Sequence, residues 1–172
     1  TPEGLVWPYT RPSARSDYDE LIEYIRSLGV KYIRPIDTTG NFDLPDDWYN
    51  WKPTCHTDSI KYYIDNFLSL DTNGELKLFY IWGHGFELDE TYDPSNTSKF
   101  RWSDLEALAE RLKDRDDVWK ATNIEIYDYI EAARGLEIDY ENNIITNPSD
   151  VDVYVQINGI NSVIPANGTG AL

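Results

Sequence analysis

An α/β sheet or barrel with a C-terminal β-hairpin region is the fold class this sequence predicts, and three observations predict it. Apolar residues recur at helical spacing in four separate segments. Short β-branched and aromatic runs alternate with those segments, as strand–helix units require. The stretch from Leu136 to Ile164 then alternates without any helical period.

The elements follow in order. Leu5-Val6-Trp7, stopped by Pro8, reads as a strand end. Ser16 is a candidate N-cap for a helix carrying Leu21, Ile22, Ile25 and Leu28, with Gly29 as its stop. Val30 to Ile33 is a strand ending at Arg34-Pro35, and 37–57 reads as a long loop broken by Gly40, Pro45 and Pro53. A helix resumes after Thr57 with Ile60, Ile64, Phe67 and Leu68 on one side. Leu76 to Trp82, the most hydrophobic run, is expected as a strand at the centre of the sheet. Ser103-x-x-Glu106 reads as a capping box before a helix that buries Leu105, Leu108 and Leu112 and exposes Glu110, Lys113 and Asp114. Val118 to Ala121 is expected as a short strand, and Thr122-x-x-Glu125 as a second capping box opening a helix that stops at Gly135. The alternating Val151, Val153, Val155 and Ile157 predict hairpins.

A length of 172 residues suits one core. The expected organisation is an α/β part over 1–135 with a β-rich tail over 136–172 packed on the same domain. A net charge of −16 opposes nucleic acid as a partner, since phosphate contacts need Lys and Arg. No apolar run approaches the ~20 residues of a membrane span. The single cysteine, Cys55, forms no internal disulfide. Thirteen Tyr and six Trp lean towards flat apolar ligand faces such as sugar rings. The sequence holds no Met, so it is expected to be a segment of a longer protein.

Chemistry concentrates on the two histidines, His56 and His84. His84 follows the apolar run between Gly83 and Gly85, a position suited to a general acid or base, or to a structural histidine bonded at a strand end. His56 either faces the same cleft or caps the following helix. Arg34 and Asp37 follow a strand and either set the charge state of a nearby histidine or form a surface ion pair. Trp51 and Trp82 flank these motifs and either line a sugar site or pack in the core. With no His-x-x-x-His, no metal ligand set is assigned; Glu87, Asp89 and Asp93 read as solvated carboxylates.

Trp82-Gly83-His84-Gly85-Phe86-Glu87-Leu88-Asp89 resembles the WGHSFEFD signature of bacterial polysaccharide deacetylases of the carbohydrate esterase type. Trp7-Pro8-Tyr9, Val30-Lys31-Tyr32-Ile33-Arg34, Lys52-Pro53-Thr54-Cys55-His56, Trp119 to Ile126 and Asn147-Pro148-Ser149 resemble further motifs of that family, in order. The resemblance implies the C-terminal part of a distorted (β/α) barrel and metal-assisted removal of acetyl groups from an N-acetylated carbohydrate. It implies His84 as the acid that protonates the leaving amine and Tyr9 as a backbone oxyanion donor, with Thr10 standing where the family has Gly. It also implies a divalent ion, zinc, whose usual ligands, an Asp-Asp motif and an HSxxH motif, have no counterpart in this sequence. An N-terminal half would supply them as partner, in a bacterial protein of the cell envelope or outside it. The alternative is a non-catalytic carbohydrate-binding relative that lacks the metal triad.

Overall fold

The computed structural model describes residues 2–7, 16–72 and 74–172. The chain divides into two compact units, residues 1–119 and 120–172. Among the described residues no helix is long and apolar enough to cross a membrane.

The first unit is built from two β-α-β crossovers. Strand β1 (Gly4–Val6) pairs in parallel with β2 (Tyr32–Arg34), and helix α1 (Tyr18–Ser27) connects them, because parallel neighbours need a crossover. Ile22 and Ile25 of α1 meet Val30 and Ile33 in a core flanked by Leu5, Trp7 and Tyr49. The N-cap position of α1 is Asp17, one residue beyond the expected Ser16 and without a side-chain capping bond, and the chain leaves the helix at Gly29, whose φ of 84° favours a residue without Cβ.

The second crossover joins β3 (Cys55–His56) to β4 (Ile81–Trp82) through α2 (Ile60–Leu68), again in parallel. Cys55, Ile60, Ile64, Leu88, Phe100 and Leu108 form its core. The expected central strand from Leu76 to Trp82 is regular only over Ile81–Trp82, and Leu76 is exposed. Residues 76–80 instead make isolated bonds: Leu78 N–H donates to the Phe42 carbonyl at 2.7 Å and Tyr80 N–H to Thr54 Oγ1 at 3.1 Å. The facing segment contains Pro45 and Pro53, which supply no N–H and cannot sustain a ladder.

Helix α3 (Trp102–Leu112) starts before the expected box. Arg101 N–H donates to Asp104 Oδ2 at 2.9 Å, and Lys61 pairs with the same carboxylate at 3.0 Å, so polar contacts anchor the first turn. Leu108 and Leu112 enter the core, but Leu105 lies beside that polar turn and is exposed, contrary to its expected burial. Glu110, Lys113 and Asp114 are exposed as the spacing predicts. Val118 to Ala121 forms no strand; the chain turns there, with Arg115 gripping Asp117 through two nitrogens.

In the second unit, Glu125 Oε2 accepts from Thr122 N–H at 2.7 Å and Oγ1 at 2.6 Å, the expected capping box of α4 (Asn123–Arg134). Strands β5 (Glu137–Asp139), β6 (Ile144–Asn147) and β9 (Gly168–Ala171) form an antiparallel sheet in the order β5-β6-β9. Strands β7 (Val153–Ile157) and β8 (Ile160–Ile164) form a hairpin. Its two-residue turn, Asn158-Gly159, has φ of 52° and 81°, the geometry that matches strand twist. Asn147 is wholly buried: its Nδ2 donates to the Val151 and Ile164 carbonyls, and its Oδ1 accepts from Ser149 N–H and Oγ.

Candidate functional site

The β3–β4 register sets His56 opposite Trp82, which brings the segment after β4 beside the segment after β3. Contact is close at Gly83, where an added Cβ would lie 2.6 Å from the Thr57 side chain. Only glycine therefore lets the next residue, His84, approach His56.

A single carboxylate oxygen joins the two histidines. Glu87 Oε2 lies 3.0 Å from His56 Nε2 and 3.2 Å from His84 Nδ1, and it accepts the His84 backbone N–H at 2.9 Å. Donor atoms of His56, His84 and Glu87 all lie within 4.8 Å of one another. Burial works to raise the Glu87 carboxyl, but the His84 N–H and the two imidazoles outweigh it, so its pKa lies below the ordinary carboxylate value. His56 also caps the turn that follows it, its Nδ1 accepting Asp58 N–H at 3.3 Å. Of the two roles left open for His56, the structure shows the cap; the ring also meets Glu87 through Nε2. That acceptor role fixes the tautomer of a neutral His56 with the proton on Nε2, facing Glu87.

Trp82 forms the wall of the cluster. Its ring stands edge-on to His56 at 4.8 Å and to His84 at 5.8 Å, while the Arg34 guanidinium lies over it at 4.6 Å. Burial lowers the Arg34 pKa, with the Tyr80 charge opposing. Trp82 Nε1 is buried without a hydrogen-bond partner among the described residues. Arg34, from the end of β2, and His84, from the end of β4, therefore share one ring. Asp37 is half-buried three positions beyond Arg34. Trp51 is 1% exposed among Tyr32, Trp48 and Tyr80, so it packs in the core and offers no face to a sugar. Tyr9 and Thr10 lie outside the described residues.

On its outer side, His84 is stacked by Phe86 at 5.2 Å, and Tyr92 meets Phe86 edge-on at 5.2 Å. Phe86, Tyr92 and the nearby Trp102 are exposed. The loop that carries Tyr92 is held by buried Arg101, which donates to the carbonyls of Asp89, Tyr92 and Asp93. Sequence reasoning passed over Phe86, Tyr92 and Trp102 and read Glu87 as solvated. The available signal was His84-x-x-Glu87, a spacing that lets a carboxylate reach back across one tight turn.

No family model matches this chain, and neither the curated proteins nor the solved structures contain a match to it.

Proposed function

We propose that this chain is the C-terminal part of a metal-dependent polysaccharide deacetylase-type hydrolase, acting on an N-acetylated carbohydrate, with His84 as general acid. One observation carries the proposal beyond the motif resemblance: Glu87 Oε2 engages His84 Nδ1 at 3.2 Å, while His84 remains about half exposed. A carboxylate on Nδ1 fixes the ring and leaves Nε2 as the atom that exchanges a proton with a bound substrate. Protonation of the leaving amine as the C–N bond breaks is then the task of His84 Nε2–H. Arg34 and Trp82 wall the same site, and Asp37 stands three positions beyond Arg34.

A divalent ion, held by ligand motifs that this sequence does not contain, supplies carbonyl polarisation and water activation in such chemistry. The residues of this chain orient the substrate and hold the proton.

Carbohydrate binding without catalysis is the second reading, favoured by the exposed rings of Phe86, Tyr92 and Trp102 beside His84. The test is acetate release from N-acetylglucosamine oligomers by the longer protein, with binding measured in parallel. Release that depends on His84 supports the deacetylase. Saturable binding with no release, weakened by Phe86→Ala, selects the binding protein.

A further inference from the structure

We propose that His56, His84 and Glu87 form a site for a divalent transition metal of the zinc class, oriented by Asp58. The site is separate from the ion that the family resemblance implies, and it does not depend on the deacetylase reading. Two imidazole nitrogens and a carboxylate oxygen suit zinc, cobalt or nickel, whereas calcium and magnesium prefer all-oxygen shells.

The geometry is close to that of a loaded centre. Ligands about 2.0–2.1 Å from a tetrahedral zinc stand about 3.4 Å apart. The His56–Glu87 and His84–Glu87 pairs are already at 3.0 and 3.2 Å. All three donor atoms lie within 4.8 Å of one another, so the two imidazoles need to close by at most about 1.4 Å. Parallel pairing of β3 with β4 holds the two ligand segments together, and Trp82 and Phe86 flank the His84 ring.

Binding moves a proton within His56 without net release. Its Nε2, which carries the proton facing Glu87, takes the metal, and the proton passes to Nδ1. Nδ1 then gives up the Asp58 N–H that it accepts in this structure, and the Asp58 carboxylate, whose Oδ2 is 3.5 Å away and which is held by Lys99 at 3.3 Å, becomes the acceptor for Nδ1–H. A carboxylate on the far nitrogen of a metal-bound imidazole fixes its orientation and raises its basicity. Three protein donors leave a fourth tetrahedral position for water or an oxygen ligand, the arrangement of hydrolytic rather than structural zinc sites. Metal on His84 Nδ1 also takes that imidazole out of acid–base exchange, so loading this site and acid catalysis by His84 exclude each other.

The test is titration of the chelator-stripped 172-residue chain with Co²⁺. The expected result is one equivalent bound with visible d–d bands of four-coordinate intensity, displaced by Zn²⁺ and unaffected by excess Mg²⁺. His56→Ala, His84→Ala and Glu87→Gln should each weaken binding at least about 100-fold, and Asp58→Asn about 10–100-fold. Far-UV circular dichroism confirms that each variant is folded; Glu87→Gln keeps the hydrogen bond to His84 N–H and serves if an alanine variant unfolds. Absence of the bands, binding of several equivalents, or unchanged affinity in folded Glu87→Gln would overturn the proposal.

Discussion

Replacing Asn147 should destabilise the chain through a loss that can be counted bond by bond. The Asn147 amide is inaccessible to water and makes four hydrogen bonds, to the Val151 and Ile164 carbonyls and from Ser149 N–H and Oγ. Asn147→Ala removes all four. The Val151 carbonyl keeps the Ser149 hydroxyl at 3.1 Å and the Ile164 carbonyl keeps its ladder partner Val153, so the loss falls mainly on Ser149 N–H. With a group left unpaired costing about 1–3 kcal/mol, the expected destabilisation is about 1–3 kcal/mol. Asn147→Asp keeps the shape but sets a carboxylate oxygen against two carbonyl oxygens, and should cost more than alanine near pH 7. Burial and those oxygens favour the protonated acid, which can donate to one carbonyl. The penalty is therefore fully present at high pH and is relieved as pH falls. Equilibrium urea unfolding of the three proteins at pH 7.5 and 4.5 measures this. An Asn147→Ala protein within about 0.5 kcal/mol of the parent, or an aspartate variant whose deficit does not shrink at low pH, would refute the reasoning.

Glu125 has its pKa lowered by the Thr122 hydroxyl and then by the Thr122 N–H. Its contribution to α4 is present above the unfolded carboxylate value and lost as pH falls through the folded one, so Glu125→Gln should flatten the acid limb of the stability curve. Leu108→Ala should cost about 2–5 kcal/mol and Leu105→Ala less than about 1 kcal/mol, since only Leu108 lies in the core. Arg101→Lys cannot reach several carbonyls with a planar fork, so limited proteolysis should cut the variant faster between Asp89 and Asn96, with unfolding midpoints changed little.

Local signals were legible where one turn of chain carries them. Thr122-x-x-Glu125 gives the start of α4, and the alternation from Val151 to Ile157 gives the β7–β8 hairpin, because cap and hairpin are decided by neighbouring residues. The same template misplaced the start of α3: Asp104 reaches back to Arg101 N–H, so the cap precedes Ser103, and Leu105 beside it stays exposed. The run from Leu76 to Trp82 was apolar enough for a central strand, but its regularity depended on a partner segment interrupted by proline. The site was half legible. His84 between two glycines marked the place; the approach of His56, 28 positions earlier, came from parallel pairing that no local pattern encodes. Glu87 was visible only as one of the 31 acidic residues of the chain.

The most direct measurement is the steady-state kinetics of acetate release by a protein that carries this chain together with the metal-ligand motifs, and by its His84→Ala variant, with zinc supplied at one equivalent. On the proposed function, proton donation from His84 matters when the C–N bond breaks and little when substrate binds. The variant should therefore lose about 10²–10⁴-fold in kcat with KM changed less than about threefold. An unimpaired kcat, or a loss confined to KM, would contradict His84 as the general acid.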